Sequence, residues 1–248
     1  MDKRIVIIPT YNERENIEKI IYYVLSLPDV FHILVIDDGS PDGTANLVKK
    51  LMTMFSDKLF LEERKGKLGL GTAYIHGFKW CLAKGYDFIF EMDADFSHNP
   101  NDLIRLYNAA REQNADVVVG SRYCNGVNVV NWPMSRVLMS YYGSAYVRLV
   151  LRTKIQDNTA GFVCYRRNVL ETIDFSKIRH IGYGFQIEMK YVADKLGFKV
   201  AEVPIIFTDR TEGTSKMSKG ILKEAIFGVL KLRWIALLGG IEKYRLKL

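Results

Sequence analysis

Three carboxylates follow an apolar run in the segment IFEMDADFSH, residues 89–98. Alternate residues of an extended chain point the same way, so Asp93 and Asp95 are expected to face one spot while Ala94 points away. Two convergent carboxylates suit a hard divalent cation such as Mg²⁺ or Mn²⁺, which prefers oxygen ligands. The alternative is a solvated acidic turn, because ionised carboxylates are costly to bury without a metal or a cationic partner.

Other polar residues suit a nucleotide that carries a diphosphate. Asp38 and Glu13 can accept hydrogen bonds from ribose hydroxyls or base N–H groups, and Tyr11 can pack on a base. A divalent cation would neutralise charge as the diphosphate leaves. Turn chemistry is the alternative for Asp38 and the favoured interpretation for Asp42, since the segment SPDG is a strong turn by itself.

The elements that must position these residues are apolar runs of strand length that alternate with helix-length segments. We predict strands at 5–9, 32–38, 59–64, 86–93 and 115–123 and helices at 12–27, 44–55, 71–85 and 99–114. This order predicts an α/β fold whose mainly parallel sheet carries helices on both faces. Ligands of such sheets bind at the carboxyl ends of the strands. Because polar clusters follow the first, second, fourth and fifth strands, we expect them to converge at one edge.

Several function classes lack their sequence signals. The first strand is followed by PTYNE and not by the glycine fingerprint of dinucleotide-binding folds, and GKLGLGT (66–72) matches neither that pattern nor a P-loop. We interpret GKLGLGT as a helix entry with tight turns. An ordinary oxidoreductase or kinase is therefore disfavoured. A nucleotidyltransferase is disfavoured too, because no glycine- and lysine-rich loop follows the first strand.

The net charge of +7 belongs mostly to the C-terminal tail, where residues 216–248 hold eight Lys or Arg and two Glu. No basic stripe with interleaved aromatic residues occurs, so we do not expect nucleic-acid binding. The 248 residues are predicted to form one domain, 1–215, followed by an extension, 216–248. The three cysteines fit a reduced, intracellular protein, and the opening segment predicts no signal peptide.

Seven segments carry a resemblance to a known family, namely PTYNERENI, IDDGSPDGT, KLGLGTAYIHG, MDADFSHNP, GSRY, NTAGF and DRTEGTSK. In order and spacing they resemble the dolichyl/polyprenyl-phosphate mannose synthases, which are inverting family 2 glycosyltransferases with a GT-A fold. The resemblance runs from Val6 to about Ser218. It implies metal-dependent transfer of mannose from GDP-mannose to a polyprenyl phosphate, with Mg²⁺ or Mn²⁺ as the cofactor.

The resemblance also implies site residues. Those implied to line the nucleotide pocket are Pro9, Tyr11, Glu13, Ile36 and Asp38. Those implied to surround the metal and the diphosphate are Asp93, Ala94 and Asp95, and those implied to contact phosphates are Arg122, Arg210 and Lys216. Some relatives have a glutamine metal ligand two residues after the second aspartate. Ser97 stands there in this sequence, and we expect it to be a weak ligand.

A phosphate acceptor is already anionic, so we predict no catalytic base. Two phosphates must approach each other, which requires cations. The candidates are Arg122, Arg136, Arg210 and Lys216, with plain solvation as the alternative for Arg136. Three residues are interpreted as shaping the acceptor side, with structural hydrogen bonding as the alternative, namely Asp157, Gln186 and Glu188. A segment with Gly213 is interpreted as a lid over the donor.

The tail supports a lipid acceptor. It clusters Lys216, Lys219, Lys223 and Lys231 on one helical side, opposite Ile221, Ala225, Val229 and Leu232. We expect it to lie in a membrane interface with Trp234 at the boundary, which would make the protein peripheral on the cytoplasmic face of a membrane. The alternative is a helix packed on the domain or on a second subunit.

Three other functions stay open. The first is the same chemistry with another donor, such as UDP-glucose, or with another acceptor. The second is a silent nucleotide-sugar-binding protein, against which the intact Asp93 and Asp95 argue. The third is a membrane-surface binding module, which would depend on the tail alone.

Overall fold

The computed structural model describes residues 2–182, 184–209 and 219–246 of the 248, without the side chains of residues 219–226. The strands are β1 (Arg4–Thr10), β2 (His32–Asp37), β3 (Leu59–Glu63), β4 (Phe88–Glu91), β5 (Val117–Ser121), β6 (Val129–Val130), β7 (Val163–Arg166), β8 (Val200–Pro204) and β9 (Phe207–Thr208). The helices are α1 (Arg14–Leu25), α2 (Thr44–Met52), α3 (Leu70–Ala83), α4 (Asp102–Glu112), α5 (Met134–Leu151), α6 (Arg167–Thr172), α7 (Gly184–Lys195) and α8 (Lys219–Leu237). A 3-10 helix, Gly240–Tyr244, follows α8. The elements predicted within the first 123 residues are confirmed, with small shifts at their ends.

The central sheet has seven strands in the order β3-β2-β1-β4-β7-β5-β8. Strand β1 pairs in parallel with β2 and β4, β2 with β3, and β5 with β8. Strand β7 is antiparallel to both β4 and β5. The predicted α/β fold with a mainly parallel sheet is therefore confirmed. The strand order reverses between β1 and β4, and that switch point is where open sheets bind ligands.

Both faces of the sheet are buried, as the nearly continuous apolar strands predict. In β1, Ile5 and Ile7 pack in the core beneath α3 and α7, whereas Val6 and Ile8 pack in the core beneath α1 and α4. This alternation follows from the two-residue period of a strand. The resulting layers hold the strand ends, and the residues that follow them, in fixed positions.

Helix α8 packs against α5 and α7. Its Val229 and Leu232 are 2% exposed, whereas Phe227 and Trp234 on other sides of the helix are 70% and 64% exposed. Among the residues that the structure describes, no helix has the length and apolar content to cross a membrane. The predicted domain boundary near residue 215 lies outside the described residues, as does the predicted lid around Gly213.

Candidate active site

The predicted convergence of polar clusters is confirmed at the carboxyl edge of the sheet. Asp38 comes directly after β2, Arg122 directly after β5, and the turn with Asp93 and Asp95 follows β4. Strands β1, β2 and β4 are parallel, and β5 runs in the same direction because β7 is antiparallel to both of its neighbours. The acidic turn after β4 lies beside the switch point, and the cationic segment lies after β5.

The turn after β4 holds its two aspartates through local hydrogen bonds. The backbone N–H of Ser97 donates to Oδ1 of Asp95 at 3.1 Å, and Phe96 adopts a left-handed φ of 58° that closes the turn. The backbone N–H of Asp93 donates to Nδ1 of His98 at 3.3 Å. The His98 ring is buried and stacks on Phe162 at 4.9 Å. Burial lowers the pKa of His98 to about 4, so its imidazole is neutral at pH 7 and can accept that hydrogen bond.

The oxygen atoms at this turn suit a divalent cation that also binds a phosphate group. Asp93 and Asp95 are partly exposed, and the buried Ser97 hydroxyl has no hydrogen-bond partner within the described part of the chain. No group of three or more His, Cys, Asp or Glu side chains that could hold a metal occurs among the described residues. Two carboxylates match the coordination that Mg²⁺ prefers, in which waters and substrate phosphates complete the shell.

The carboxylate of Asp38 is oriented by an arginine that the sequence reading missed. Nε of Arg64 donates to Oδ1 of Asp38 at 2.6 Å. Nη1 of Arg64 donates to the hydroxyl of Thr72, at 2.8 Å, in the first turn of α3. Both charged side chains are about nine-tenths buried. Arg64 therefore fixes Asp38 relative to α3 through Oδ1, one of its two carboxylate oxygens.

The other residues predicted for the nucleotide pocket lie around Asp38. Pro9 pairs with Ile36 across β1 and β2, and the Ile36 side chain is buried in the core, so its main chain is what remains for a ligand. Tyr11 is partly exposed, with the ammonium of Lys67 5.3 Å from its ring centroid. The backbone N–H of Glu13 donates to the Thr44 hydroxyl at 3.1 Å. The predicted nucleotide contacts of these residues stay predictions.

Asp42 has the turn role that the sequence favours. Its Oδ1 accepts from the backbone N–H and the hydroxyl of Thr44, at 2.9 and 2.6 Å, and its Oδ2 accepts from the backbone N–H of Arg14. Burial alone would raise the pKa of Asp42, but the bonds from Thr44 outweigh it and lower the pKa. Asp42 thus stabilises the start of α2.

Arg122 is held in a buried fork by Asp157. Nε and Nη2 of Arg122 donate to the two carboxylate oxygens at 2.7 Å each, and Nη2 also donates to the Thr159 hydroxyl at 2.7 Å. Burial would raise the pKa of Asp157, but the charge and hydrogen bonds of Arg122 outweigh it and hold the pKa below its ordinary value. Asp157 therefore fixes the orientation of the Arg122 guanidinium, whose Nη1 can face a phosphate.

A second arginine lies beside this fork. The guanidinium of Arg136 lies 4.0 Å from the ring centroid of Trp132, and that of Arg122 lies 5.7 Å from the same ring. Nη1 of Arg136 donates to Asp209 at 2.7 Å. Two arginines thus flank one indole, close to where the described chain stops at Asp209. The predicted phosphate contacts Arg210 and Lys216 lie outside the described residues.

Helix α7 carries the remaining predicted acceptor residues, and both are buried. Glu188 accepts at Oε2 from the backbone N–H groups of Arg179 and His180 and from the His180 ring, and at Oε1 from the Tyr244 hydroxyl at 2.9 Å. Gln186 accepts at Oε1 from the ammonium of Lys190 at 3.4 Å. The role of Gln186 and Glu188 on the acceptor side stays a prediction, and Glu188 also joins α7 to the C-terminal segment.

The contacts of Glu188 predict a large effect on stability. Glu188→Gln is expected to lower the free energy of unfolding by about 2–3 kcal/mol, because buried donors lose a charged acceptor. Although burial raises the pKa of Glu188, the bonds from His180 lower it more, to below the ordinary 4.5. The difference in the free energy of unfolding between wild type and Glu188→Gln should thus have its full size above pH 4.5. It should shrink as the pH falls through the lowered pKa of Glu188.

Urea unfolding at several pH values measures this difference. The control is Glu171→Gln, which removes a partly exposed salt bridge between Glu171 and Arg167, one helical turn earlier in the chain. This change should lower the free energy of unfolding by less than about 0.5 kcal/mol. Equal and pH-independent losses in the two variants would contradict the role given to Glu188.

Four residues that matter for the geometry were not predicted from the sequence, namely Arg64, His98, Lys190 and Glu202. Glu91 was noted as one of the three carboxylates of IFEMDADFSH, but it was given no role. His98 lies within the motif MDADFSHNP, so its place near the acidic turn could have been predicted. Lys190 is the one basic residue of the segment FQIEMKYVA, which could have indicated a buried lysine. The others bind partners far along the chain, such as the backbone N–H groups of Gln156 and Asp157 that donate to Glu202. Such pairs leave no local pattern.

Comparison with known proteins is consistent with this geometry. Residues 5–174 match the family described as Glycosyl transferase family 2. The chain is 48% identical to a polyprenol monophosphomannose synthase of Mycolicibacterium smegmatis over 227 aligned residues. The alignment covers 92% of this chain and 85% of that protein. It is 43% identical over 234 residues to an undecaprenyl-phosphate mannosyltransferase of Micrococcus luteus, which covers 93% of this chain and 95% of that protein.

The fold is similar to that of a solved enzyme at low sequence identity. Glucosyl-3-phosphoglycerate synthase from Mycobacterium tuberculosis, solved with Mn²⁺, UDP and glucosyl-3-phosphoglycerate, superposes with a TM-score of 0.64 at 20% identity. The match covers 96% of this chain and 80% of that chain. The arrangement of sheet and helices is therefore shared well beyond the range of sequence similarity.

Proposed function

The chain belongs to Glycosyl transferase family 2 and is a glycosyltransferase, and from this premise we propose that it transfers mannose from GDP-mannose to a polyprenyl phosphate. The observation that carries the proposal is the 43–48% identity, over more than nine-tenths of the chain, to two enzymes named for mannosyl transfer to polyprenyl phosphates. The site agrees with it, because carboxylates for a diphosphate donor and arginines for a second phosphate lie on one edge of the sheet.

The donor lies across the switch point in this proposal. Asp38, oriented by Arg64, accepts hydrogen bonds from the base or the ribose, and Tyr11 packs on the base. The diphosphate then extends toward the turn with Asp93 and Asp95. This placement follows the rule that open α/β sheets bind nucleotides where the strand order reverses.

Asp93 and Asp95 would hold a divalent cation, Mg²⁺ or Mn²⁺. The solved relative contains Mn²⁺ with UDP, and the two carboxylates here have the chemistry to hold such an ion. When bound, the cation neutralises charge that develops on the leaving diphosphate. The Ser97 hydroxyl, which is buried and has no hydrogen-bond partner in the described chain, would be a weak further ligand.

The arginines position the acceptor. Arg122, fixed by Asp157, presents Nη1 to the acceptor phosphate, and Arg136 supplies a second positive charge beside Trp132. An acceptor phosphate oxygen attacks the anomeric carbon, forming a C–O bond while the bond to the donor diphosphate breaks. GDP leaves with the electron pair, and the configuration inverts. No proton has to move, so the residues act by positioning and charge neutralisation.

We place the enzyme on the cytoplasmic surface of a membrane, where a polyprenyl phosphate is available. Helices α5 and α8 pack against each other, and both expose large apolar side chains, among them Met134, Tyr142, Leu149, Phe227, Trp234 and Leu237. Lys177, Arg179 and Lys243 line a cavity of about 690 Å³ next to the exposed Leu238. Apolar side chains rimmed by cations match an anionic membrane interface.

The membrane placement predicts a flotation result. Trp234→Glu should reduce binding to vesicles with anionic lipid by about tenfold, since an interfacial aromatic anchor is replaced by a charge. The matched control is Trp80→Phe, which changes a tryptophan of α3 that packs on Phe60. Equal flotation of wild type and Trp234→Glu would count against the placement.

The proposed reaction is tested by a radiolabelled transfer assay. GDP-mannose and UDP-glucose are offered in parallel to a short polyprenyl phosphate, with and without Mn²⁺. We expect label in the lipid from GDP-mannose alone, and only with the metal. Label from UDP-glucose alone would move the proposal to another donor, and no lipid label from either donor would overturn it.

A further inference from the structure

A lysine lies fully buried beneath the candidate active site. Lys190 on α7 is 0% exposed, and its ammonium donates to the carbonyl of Ala160 at 2.6 Å and to Gln186 at 3.4 Å. Burying an ammonium group is costly unless it is paired and hydrogen-bonded. The position therefore calls for a role beyond packing.

Four ionisable groups interact electrostatically with this ammonium, namely Glu91, Asp157, Glu202 and Arg122. Burial lowers the pKa of Lys190, and the neighbouring carboxylates oppose that shift. Glu91 ends β4, two residues before Asp93, and neither of its oxygens has a hydrogen-bond partner in the described part of the chain. The charge of Lys190 thus compensates the carboxylates of Asp157 and Glu202.

The hydrogen bond to Ala160 reaches the Arg122 fork directly. Arg122 is held by Asp157 and Thr159, and Ala160 is the next residue of the same turn. This turn, residues 157–161, leads into β7, which lies between β4 and β5 in the sheet. A shift of the Ala160 carbonyl would therefore move the carboxylate that orients Arg122.

We propose that Lys190 is a positioning residue that fixes the 157–161 turn, and through Asp157 the guanidinium of Arg122, against the acceptor phosphate. The catalytic consequence rests on the proposed function, whereas the positioning itself does not. Lys190 contacts no substrate in this account. It acts by holding the turn from below while its charge balances the buried carboxylates.

The test compares Lys190→Met with the double variant Glu91→Gln/Lys190→Met. The double variant removes both buried ionisable groups, so it keeps the experiment interpretable if Lys190→Met alone folds poorly. The matched control is Tyr191→Phe, which removes a buried hydroxyl from the neighbouring position of α7. All variants retain Arg122, Asp157 and Thr159.

Position is read without substrate from ¹⁹F spectra of protein labelled with 5-fluorotryptophan. Trp132 lies against the Arg122 guanidinium, while Trp80 lies elsewhere against Tyr86. We expect the Trp132 resonance, assigned with Trp132→Phe, to move by more than its linewidth in both Lys190 variants. The Trp80 resonance should stay in place, and Tyr191→Phe should leave both signals unchanged.

Kinetics provide the second readout. In the double variant the KM for the polyprenyl phosphate should rise about tenfold, equivalent to about 1.4 kcal/mol, while the affinity for GDP with Mn²⁺ stays within about twofold. An unchanged Trp132 resonance in the double variant, or an equal shift in Tyr191→Phe, would overturn the proposal. Absence of mannosyl transfer by the wild type would defeat the proposed function alone, because the ¹⁹F result needs no substrate.

Discussion

Asp95→Asn is expected to lower kcat/KM for mannosyl transfer by about 10³-fold, because a neutral amide cannot hold the divalent cation that offsets the charge of the leaving diphosphate. The amide keeps the size of the side chain and can still accept the N–H of Ser97. The fold of the turn should therefore survive, and the loss should lie in the chemistry. Asp93→Asn is expected to behave alike.

Steady-state kinetics across a range of Mn²⁺ concentrations measure this effect, and calorimetry of GDP binding with and without metal separates binding from turnover. The wild type should bind GDP more tightly with Mn²⁺, and Asp95→Asn should lose that gain. The matched control is Asp87→Asn at the other end of β4, where the carboxylate accepts the backbone N–H of Lys3. A variant at Asp95 with wild-type kcat/KM and metal dependence would refute the role of the turn.

Arg122→Lys is expected to lower kcat/KM by about 10²-fold, since a single ammonium cannot reproduce the planar fork that Asp157 and Thr159 orient. In the wild type, that fork uses Nε and Nη2 for the protein and keeps Nη1 for the acceptor phosphate. The single ammonium of a lysine would pair with Asp157, so the acceptor phosphate would lose its cationic partner. The loss should fall mainly on the KM for the polyprenyl phosphate.

The matched control is Arg166→Lys, at the opposite edge of the sheet. Arg166 donates to the carbonyls of Ala115 and Ala110 at 2.8 and 2.6 Å, so its replacement should lower stability and leave kcat/KM within about twofold. If Arg122→Lys lowers only the thermal stability, as the control does, the assignment of Arg122 to the acceptor is wrong.

Much of the fold could be predicted because its signals are local. Runs such as IVIIP and HILVID are long, apolar and followed by turn residues, so the first five strands and the helices between them were found in the correct order. The edge that holds Asp38, Asp93 and Arg122 followed from that order alone. Parallel strands bring their carboxyl ends to one edge whatever the exact register.

The second half of the chain was not predictable in the same way. Strand β7 has only four residues and inserts antiparallel between β4 and β5, to which it is joined by contacts distant in sequence. Its position brings the turn with Asp157 to the Arg122 guanidinium. Lys190 on α7 and Glu202 on β8 form hydrogen bonds with residues 156–160. No sequence pattern near either residue indicates these partners. Such a cluster exists only once the sheet has formed.

The most direct test of the account is the structure of the lipid product, determined by ³¹P and ¹³C NMR after incubation of GDP-α-mannose, Mn²⁺ and a polyprenyl phosphate with the enzyme. We expect one mannose joined through its anomeric carbon to the lipid phosphate, in the inverted β configuration. A retained α configuration, or free mannose in place of mannosyl lipid, would contradict a direct displacement by the acceptor phosphate that Arg122 positions.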